Sequence, residues 1–334
     1  MKFFTEVEIP DCPWKIDYQS GVMMMGSCFT ENIGQKLADL KFNIDLNPFG
    51  ILYNPVSLAN SLRRLMQPRQ FIASDLFFDQ GSWNSFSHHS RFSGSDRDQV
   101  LNTINRQLEQ SSLFLKSTRL LVITFGTAWV YEWIQNGQVV ANCHKIPAKE
   151  FRRYRLTIDE IAKEYNELHT ELLKFNPNIK MVFTVSPIRH WKDGAIENQL
   201  SKATLLLSIN QLIKRPGKDL CYYFPSYEIL MDELRDYRFY ASDMLHLSDV
   251  AADYIYSRFS KIMISEDSLK LSGDVAKIHK AAMHRPFNPT AEEYRKFLLY
   301  NLRQIDQLTE NFPFLNFKIE KSHFRDEMTR FAAE

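Results

Sequence analysis

The strongest constraint on this chain is a repeated local pattern, in which a short run of apolar residues is closed by glycine or proline at a turn. In GVMMMGSCFTENIG, Gly21 to Gly34, the run Val22–Met25 stops at Gly26, and Ser27 and Cys28 lead into a helix-like segment. RLLVITFG repeats the pattern, with Leu120–Phe125 stopping at Gly126, and the strand that starts at Lys180 closes on Ser186-Pro187. Strands apolar on both faces need helices over both faces, and parallel strands need crossover helices to connect them. The chain holds only 11 glycines in 334 residues, below the usual ~7%, so each strand-ending glycine carries weight.

Between these strands the periodicity turns helical. Thr30 to Lys41 reads as a helix with Thr30 as its cap and Ile33, Leu37 and Leu40 on one side. Phe42 to Leu46 reads as a second strand, Asn47-Pro48-Phe49-Gly50 as a turn, and Pro55 to Met66 as a helix. Gln67 to Asp98 is polar and aromatic without a period and reads as a long loop. Asn136-Gly137 marks a hairpin between Val130–Ile134 and Val139–Ala141. Helices are expected from Ile158 to Lys174, Ile196 to Ile213 and Asp249 to Ile262, with a fifth strand from Leu220 to Phe224. This alternation defines an α/β chain with a doubly wound parallel sheet. After Ser265 no strand signal remains, and Ala291 to Leu308 is a strongly amphipathic helix. The expected division is a catalytic domain over 1–265 and a helical extension over 266–334, packing on the core or on a second copy of the chain.

The totals exclude several classes of function. Lys+Arg 41 against Asp+Glu 40 leaves a formal charge of +1, without the basic footprint of a nucleic-acid binder. Glu6, Glu8, Asp11 and Asp17 interrupt any signal peptide, and no stretch has the ~18 apolar residues of a membrane span, so a cytoplasmic protein without a membrane partner is expected. Cys12, Cys28, Cys143 and Cys221 have no metal-ligand spacing, so no disulfide frame, metal or cofactor is expected. A small-molecule substrate is the remaining class of partner, with a homo-oligomer open through the extension.

In a doubly wound sheet the ligand site lies beyond the carboxyl ends of the strands. Those ends are Gly26-Ser27-Cys28, Asn47 to Gly50, Gly126-Thr127-Ala128 and Ser186 to His190, and SDMLHLS brings Asp243 and His246 just before a helix. A serine hydroxyl attacks only when a histidine takes its proton, and an acid must orient that histidine. Ser27, His246 and Asp243 supply those roles, and the amide of a serine at a helix start can stabilise an oxyanion.

GSCF at Gly26–Phe29, NPFGILYNP at Asn47–Pro55, GTAWVYE at Gly126–Glu132, NCHK at Asn142–Lys145, SPIRH at Ser186–His190 and SDMLH at Ser242–His246 together resemble the GSCFA-domain family. That family looks like a branch of the SGNH (GDSL-type) hydrolases. The resemblance spans about Val22 to Ile262 and implies a flavodoxin-like three-layer α/β/α fold and esterase-type acyl transfer. It matches Ser27 to the nucleophile, Asp243 and His246 to the D-x-x-H pair, and Gly50 to the second-block oxyanion donor. The third block departs: where the superfamily has G-x-N, this chain has Gly126-Thr127-Ala128, leaving Thr127, Asn142 or another group to replace the asparagine.

The expected activity is therefore a serine esterase acting on a small, acetyl-like ester of a polar or carbohydrate-like substrate. An acyltransferase with the same triad, or an idle module that binds a glycan or acyl ester, are the alternatives. Each residue also has a plainer role. Ser27 can be a helix cap only, Asp243 a cap beside an ordinary loop histidine, and Arg189 and His190 either contacts to an anionic or hydroxyl-rich substrate or an arginine salt bridge beside a packed imidazole. His88, His89, Ser90 and His144 can wall the cleft or pack a loop, and Asn198 and Lys202, four apart on one helix face, can point to the site, although a solvated face is the more frequent outcome. Cys28 is the rival nucleophile, although adjacent residues in such a turn project differently and only one can meet the histidine.

Overall fold

A computed structural model describes residues 5–214 and 221–333; Leu220, where the fifth strand was expected to begin, lies outside them. In chain order the elements begin with β1 (Gly21–Gly26), α1 (Cys28–Asp39), β2 (Ile44–Leu46) and α2 (Pro55–Met66). A hairpin β3 (Phe77–Asp79) and β4 (Ser82–Asn84), then α3 (Arg97–Ser117), lead to β5 (Thr118–Phe125). Next come β6 (Trp129–Trp133), β7 (Gln138–Val140), β8 (Phe151–Arg155), α4 (Ile158–Phe175), β9 (Lys180–Val185) and α5 (Gly194–Ile213). The chain continues through β10 (Cys221–Tyr223), a short α6 (Ser226–Glu228) and α7 (Asp249–Met263) to α8 (Glu266–Ala282), α9 (Glu292–Asn311) and α10 (Lys318–Ala333).

The main sheet runs β10-β9-β5-β1-β2 and every neighbouring pair is parallel. Numbered along the chain, its strands stand in the order 2-1-3-4-5, the flavodoxin-like arrangement, with β1 and β5 at the reversal. The three-layer doubly wound fold follows from this order. The period-2 geometry of β1 splits its methionines between two cores. Val22 and Met24 pack with Ile33, Leu37, Ile255 and Phe259 of α1 and α7. Met23 and Met25 pack on the other face with α2, α3, α4 and α5 through Leu62, Ile104, Leu168 and Ile209.

Local chemistry accounts for the element ends. Pro55 starts α2 behind Asn54, whose side chain accepts from the Ser57 amide at 2.8 Å, and Thr157 with Glu160 forms a capping box on α4. The expected boundaries hold to within a residue or two for most helices. Three features differ from the sequence reading. α1 starts at Cys28 behind Ser27 as its cap, so Thr30, expected as the cap, is buried inside the helix. The polar stretch is not structureless, because it holds the β3–β4 hairpin, and α3 follows it: Val100, Ile104, Leu108 and Leu115 give that helix one buried stripe on an otherwise polar surface. Phe151–Arg155 adds an antiparallel strand β8 beside β6, making a three-stranded sheet from the expected hairpin.

α8, α9 and α10 extend the core on the α1 and α7 side, where Val275, Leu298, Ile305 and Phe324 are buried in one cluster with Ile33 and Leu37. Lys41 and Glu320, both largely buried, join at 2.5 Å, and an isolated bridge pairs Ile16 with Ile264. Among the described residues no helix is long and apolar enough to cross a membrane.

The tightest backbone approach is at the end of β1. Gly26 has φ +149°, and a Cβ there would lie 2.4 Å from the Thr124 carbonyl oxygen and 2.8 Å from Thr124 Cβ. Relief would have to come from the β1–β5 spacing itself. Gly26→Ala is expected to lower unfolding stability by about 1–3 kcal/mol in urea denaturation. An unchanged midpoint would show that β1 and β5 separate freely at this point.

Candidate active site

Beyond the carboxyl ends of β1, β5 and β9 opens a cleft of about 690 Å³, walled on one side by the β6–β7–β8 sheet. Ser27, His89, Thr127, Asn142, Arg189, His190 and His246 all line it. A depression of similar size over α4 holds no strand-end residue. Gly50 is not part of the cleft wall, and its amide, expected as an oxyanion donor, instead donates to the Asn47 carbonyl at 2.7 Å. At φ +79° and with His89 Cβ 2.3 Å from where its own Cβ would stand, Gly50 is required by the turn.

Ser27 is the N-cap of α1 and is 2% exposed. Its Oγ accepts from the Phe29 amide at 3.3 Å, so the cap role is real. The first amides of a helix have no intrahelical acceptor and carry its partial positive charge, so this turn favours an anion beside Ser27. Gly26 is held on both sides, its amide donating to Asn47 Oδ1 and its carbonyl accepting from the Leu52 amide, each at 2.9 Å. The Tyr53 carbonyl then accepts from the Gly126 and Thr127 amides at 2.8 and 3.0 Å, tying the loop after β2 to the end of β5. Cys28 Sγ lies 3.5 Å from the Tyr53 hydroxyl, and burial is the main cause that raises that phenol's pKa.

Asp243 and His246 form a hydrogen-bonded pair, Oδ2 to Nδ1 at 2.5 Å, half-exposed at the rim. Asp243 Oδ1 also accepts from the Leu245 and His246 amides at 2.9 Å, a short loop closed through Met244 at φ +59°. The His246 side chain, then these amides, hold the Asp243 carboxyl down to about 2. It is ionised throughout the neutral range and fixes the imidazole by its Nδ1. Ser27 Oγ and His246 share the cleft, and no hydrogen bond joins them among the described residues.

In the departed third block, Thr127 Oγ1 accepts from the Trp129 amide and lies 3.1 Å from Ser201 Oγ, which accepts from the Ala128 amide at 2.8 Å. Asn142 Oδ1 accepts from the His144 amide at 2.9 Å, which orients a carboxamide on the cleft wall. His190 packs edge-on against Tyr53, ring centroids 5.2 Å apart, and burial pushes its pKa down to about 4, so it is neutral at pH 7. His88 is buried on Phe49 with its pKa at about 3, and His144 contacts the Ser85 carbonyl at 2.8 Å; neither lines the cleft, and both pack the loop. The Cys143 thiol lines the cleft with its pKa pushed up to about 11 by burial.

Asn198 and Lys202 correct the sequence reading, because the face of α5 that carries them is turned inward. Asn198 is 2% exposed and accepts from the His190 amide at 3.0 Å. Lys202 is fully buried and donates to the carbonyls of Gly126 and Ser186, both at 2.7 Å, tying the ends of β5 and β9 under the cleft. The signal was the spacing Asn198, Ser201, Lys202, Leu205, a helical stripe whose polar members meet unpaired strand-end carbonyls rather than water. Among the described residues no three His, Cys, Asp or Glu side chains converge as a metal site.

A flavodoxin-like sheet, with a serine at the first strand's end and an aspartate-held histidine lining the same cleft, defines an α/β protein whose site sits at the topological switch point. The chain belongs to the GSCFA family, matching it over residues 21–259, and residues 275–330 match the C-terminal domain of GSCFA-domain proteins. No curated protein matches the sequence. Among solved structures it is similar to a carbohydrate esterase family 3 from Talaromyces cellulolyticus, at 8% identity and TM-score 0.36, over 77% of this chain and 99% of that one. It is also similar to an acetyl xylan esterase (Est2A) from the rumen bacterium Butyrivibrio proteoclasticus, at 10% identity and TM-score 0.37, over 73% of this chain and 64% of that one.

Burial pushes the Lys202 ammonium down to about 7, against ~10.4 for a lysine in the unfolded chain. Between those values the unfolded state binds the extra proton, so this residue's contribution to stability rises with pH. Subtracting the urea stability of Lys202→Met from that of the native protein is expected to give a difference that grows in favour of lysine from about pH 7 to pH 10. A difference flat across that window would contradict the lowered pKa of the buried lysine.

Proposed function

We propose that this protein is a serine esterase of SGNH type, with Ser27 as nucleophile, His246 as general base and Asp243 as the group that orients it. The observation that carries this reading is the Asp243–His246 hydrogen bond at 2.5 Å, on the rim of the cleft that Ser27 also lines. His246 Nδ1 is occupied by the carboxylate, which leaves Nε2 as the only ring nitrogen able to take a serine proton. In the reaction, the serine hydroxyl gives its proton to Nε2 as it attacks the ester carbonyl. The oxyanion meets the amides at the start of α1, and the Asn142 carboxamide is the candidate second donor. The imidazolium then protonates the departing alcohol, and water, activated by the same histidine, releases the acid. Serine–histidine hydrogen bonds in empty sites are often long and tighten when substrate is bound.

The acceptor in the second step can be a hydroxyl group instead of water, which makes the same residues an acyltransferase. The rival reading is a binding module without turnover. It is favoured by two observations, that the Gly50 amide is spent on Asn47 and that Ala128 stands where the third block has its asparagine.

Because Ser27 also caps α1, its two roles are separated by substitution. Ser27→Gly retains most of the capping energy, within a few tenths of a kcal/mol, and has no hydroxyl. It is expected to melt near the native temperature while hydrolysis of 4-nitrophenyl acetate falls by about 10⁴-fold. His246→Ala is expected to match it, and the double variant to be no slower, since the two act as a unit. Independent, multiplying losses would count against the triad, and a folded native protein without turnover of any ester would support the binding module. Cys28→Ala is expected to keep most of the activity; its inactivation would move the nucleophile to sulfur.

A further inference from the structure

The charge lining the cleft does not match the charge of the chain. Lys145, Arg153, Arg189 and Lys192 line it against a single carboxylate, Asp193, in a protein whose formal total is +1. Asp193 is already paired with Arg153, whose guanidinium also stacks over Trp129 at 4.2 Å, and Lys192 donates to the Tyr131 hydroxyl at 2.9 Å. Arg189 has no carboxylate partner among the described residues. Its Nη2 meets the Met231 sulfur at 3.3 Å, a weak acceptor, and its Nε is buried with no acceptor.

The titratable groups that feel the charge of Arg189 include Lys202, Tyr227 and Tyr240, none of them a carboxylate. Lys202, fully buried and within reach of the Arg189 charge, is met by two carbonyls and the Tyr227 ring and by no carboxylate. Outside the cleft, the nearby arginines are neutralised, Arg91 by Glu31 and Arg155 by Glu197. At the rim Asp243 is spent on His246. Arg189 is half-buried, with its Nε shut off from solvent and without an acceptor, so a guanidinium that lines this cleft without a carboxylate marks the place of an anion supplied from outside. A planar guanidinium grips a carboxylate or phosphate through two parallel hydrogen bonds.

We infer that the cleft binds an oxyanion, a carboxylate or phosphate carried by the substrate, with Arg189 as its main contact and Lys145 and Lys192 supporting it from the wall. That this anion belongs to an ester rests on the esterase reading; the binding of the anion does not. The substrate class is then an acyl ester with a negative charge on its acyl or alcohol part.

The test compares 4-nitrophenyl acetate with three anionic esters: the 4-nitrophenyl monoester of succinic acid, 4-acetoxybenzoate and 4-acetoxyphenyl phosphate. These put a carboxylate on the acyl side, or a carboxylate or phosphate on the alcohol side. At least one is expected to exceed the neutral ester in kcat/KM by about tenfold at low salt, the worth of one good charged contact. The gain should lie in KM, disappear in Arg189→Gln and survive in part in Arg189→Lys. Equal rates for all four esters, or a preference untouched in Arg189→Gln, would overturn the inference. If no ester is turned over, the esterase reading fails by itself, and calorimetry with succinate and with inorganic phosphate still decides this one. Binding by the native protein that is lost in Arg189→Gln upholds it, and no binding of either anion overturns it.

Discussion

The approach of β1 to β5 at Gly26 is the constraint on which the rest of the site depends. Only a residue without a side chain lets the two strands stay paired to their last residue, with Thr124 packed directly against the turn. From that point the chain enters α1 at once, so Ser27 is delivered to the helix N-terminus and to the floor of the cleft together. The Asn47 side chain and the Leu52 amide then grip Gly26 from the β2 side. Tyr53 carries the connection to Gly126, and Lys202 carries it on to Ser186. Four strand-end turns are thus linked by hydrogen bonds of 2.7 to 3.0 Å, and their geometry stands or falls as one unit.

The elements around this unit divide the work. The Asp243–His246 pair sits on a separate loop before α7, half-exposed and held by its own amide contacts, so the proposed base approaches the serine from outside the rigid floor. The β6–β7–β8 sheet contributes Trp129, Tyr131 and Arg153, an aromatic and cationic wall that, like Arg189, brings no free acid to the cleft. α8 to α10 take no part in the cleft. They cover the α1 and α7 face, and Lys41–Glu320 fastens α10 just beyond the helix that Ser27 begins.

Much of the fold was legible because the signals were local. Buried parallel strands announce themselves as apolar runs, and Gly26, Asn54-Pro55 and Asn136-Gly137 mark turns by backbone chemistry that tertiary contacts did not override. α3 was illegible because only its narrow stripe from Val100 to Leu115 is apolar, and β8 because FRRYR reads as polar until β6 lies beside it. In the site, the strand-end rule collected Ser27, Thr127, Arg189 and His190 into one cleft. It could not foresee that the Gly50 amide is consumed within its own turn, nor that a lysine on α5 would be buried to satisfy two carbonyls. Both depend on which unpaired backbone groups meet across the fold, and no single segment contains that information.

The central claim is that Ser27 is a nucleophile activated by His246, and it is tested most directly by treating the folded protein with a fluorophosphonate and mapping the adduct by peptide mass spectrometry. The account predicts one adduct, on Ser27, that forms in the native protein and not in His246→Ala. An adduct on another residue, or a folded protein whose Ser27 stays unmodified while Cys28 is rapidly alkylated with loss of activity, would contradict it.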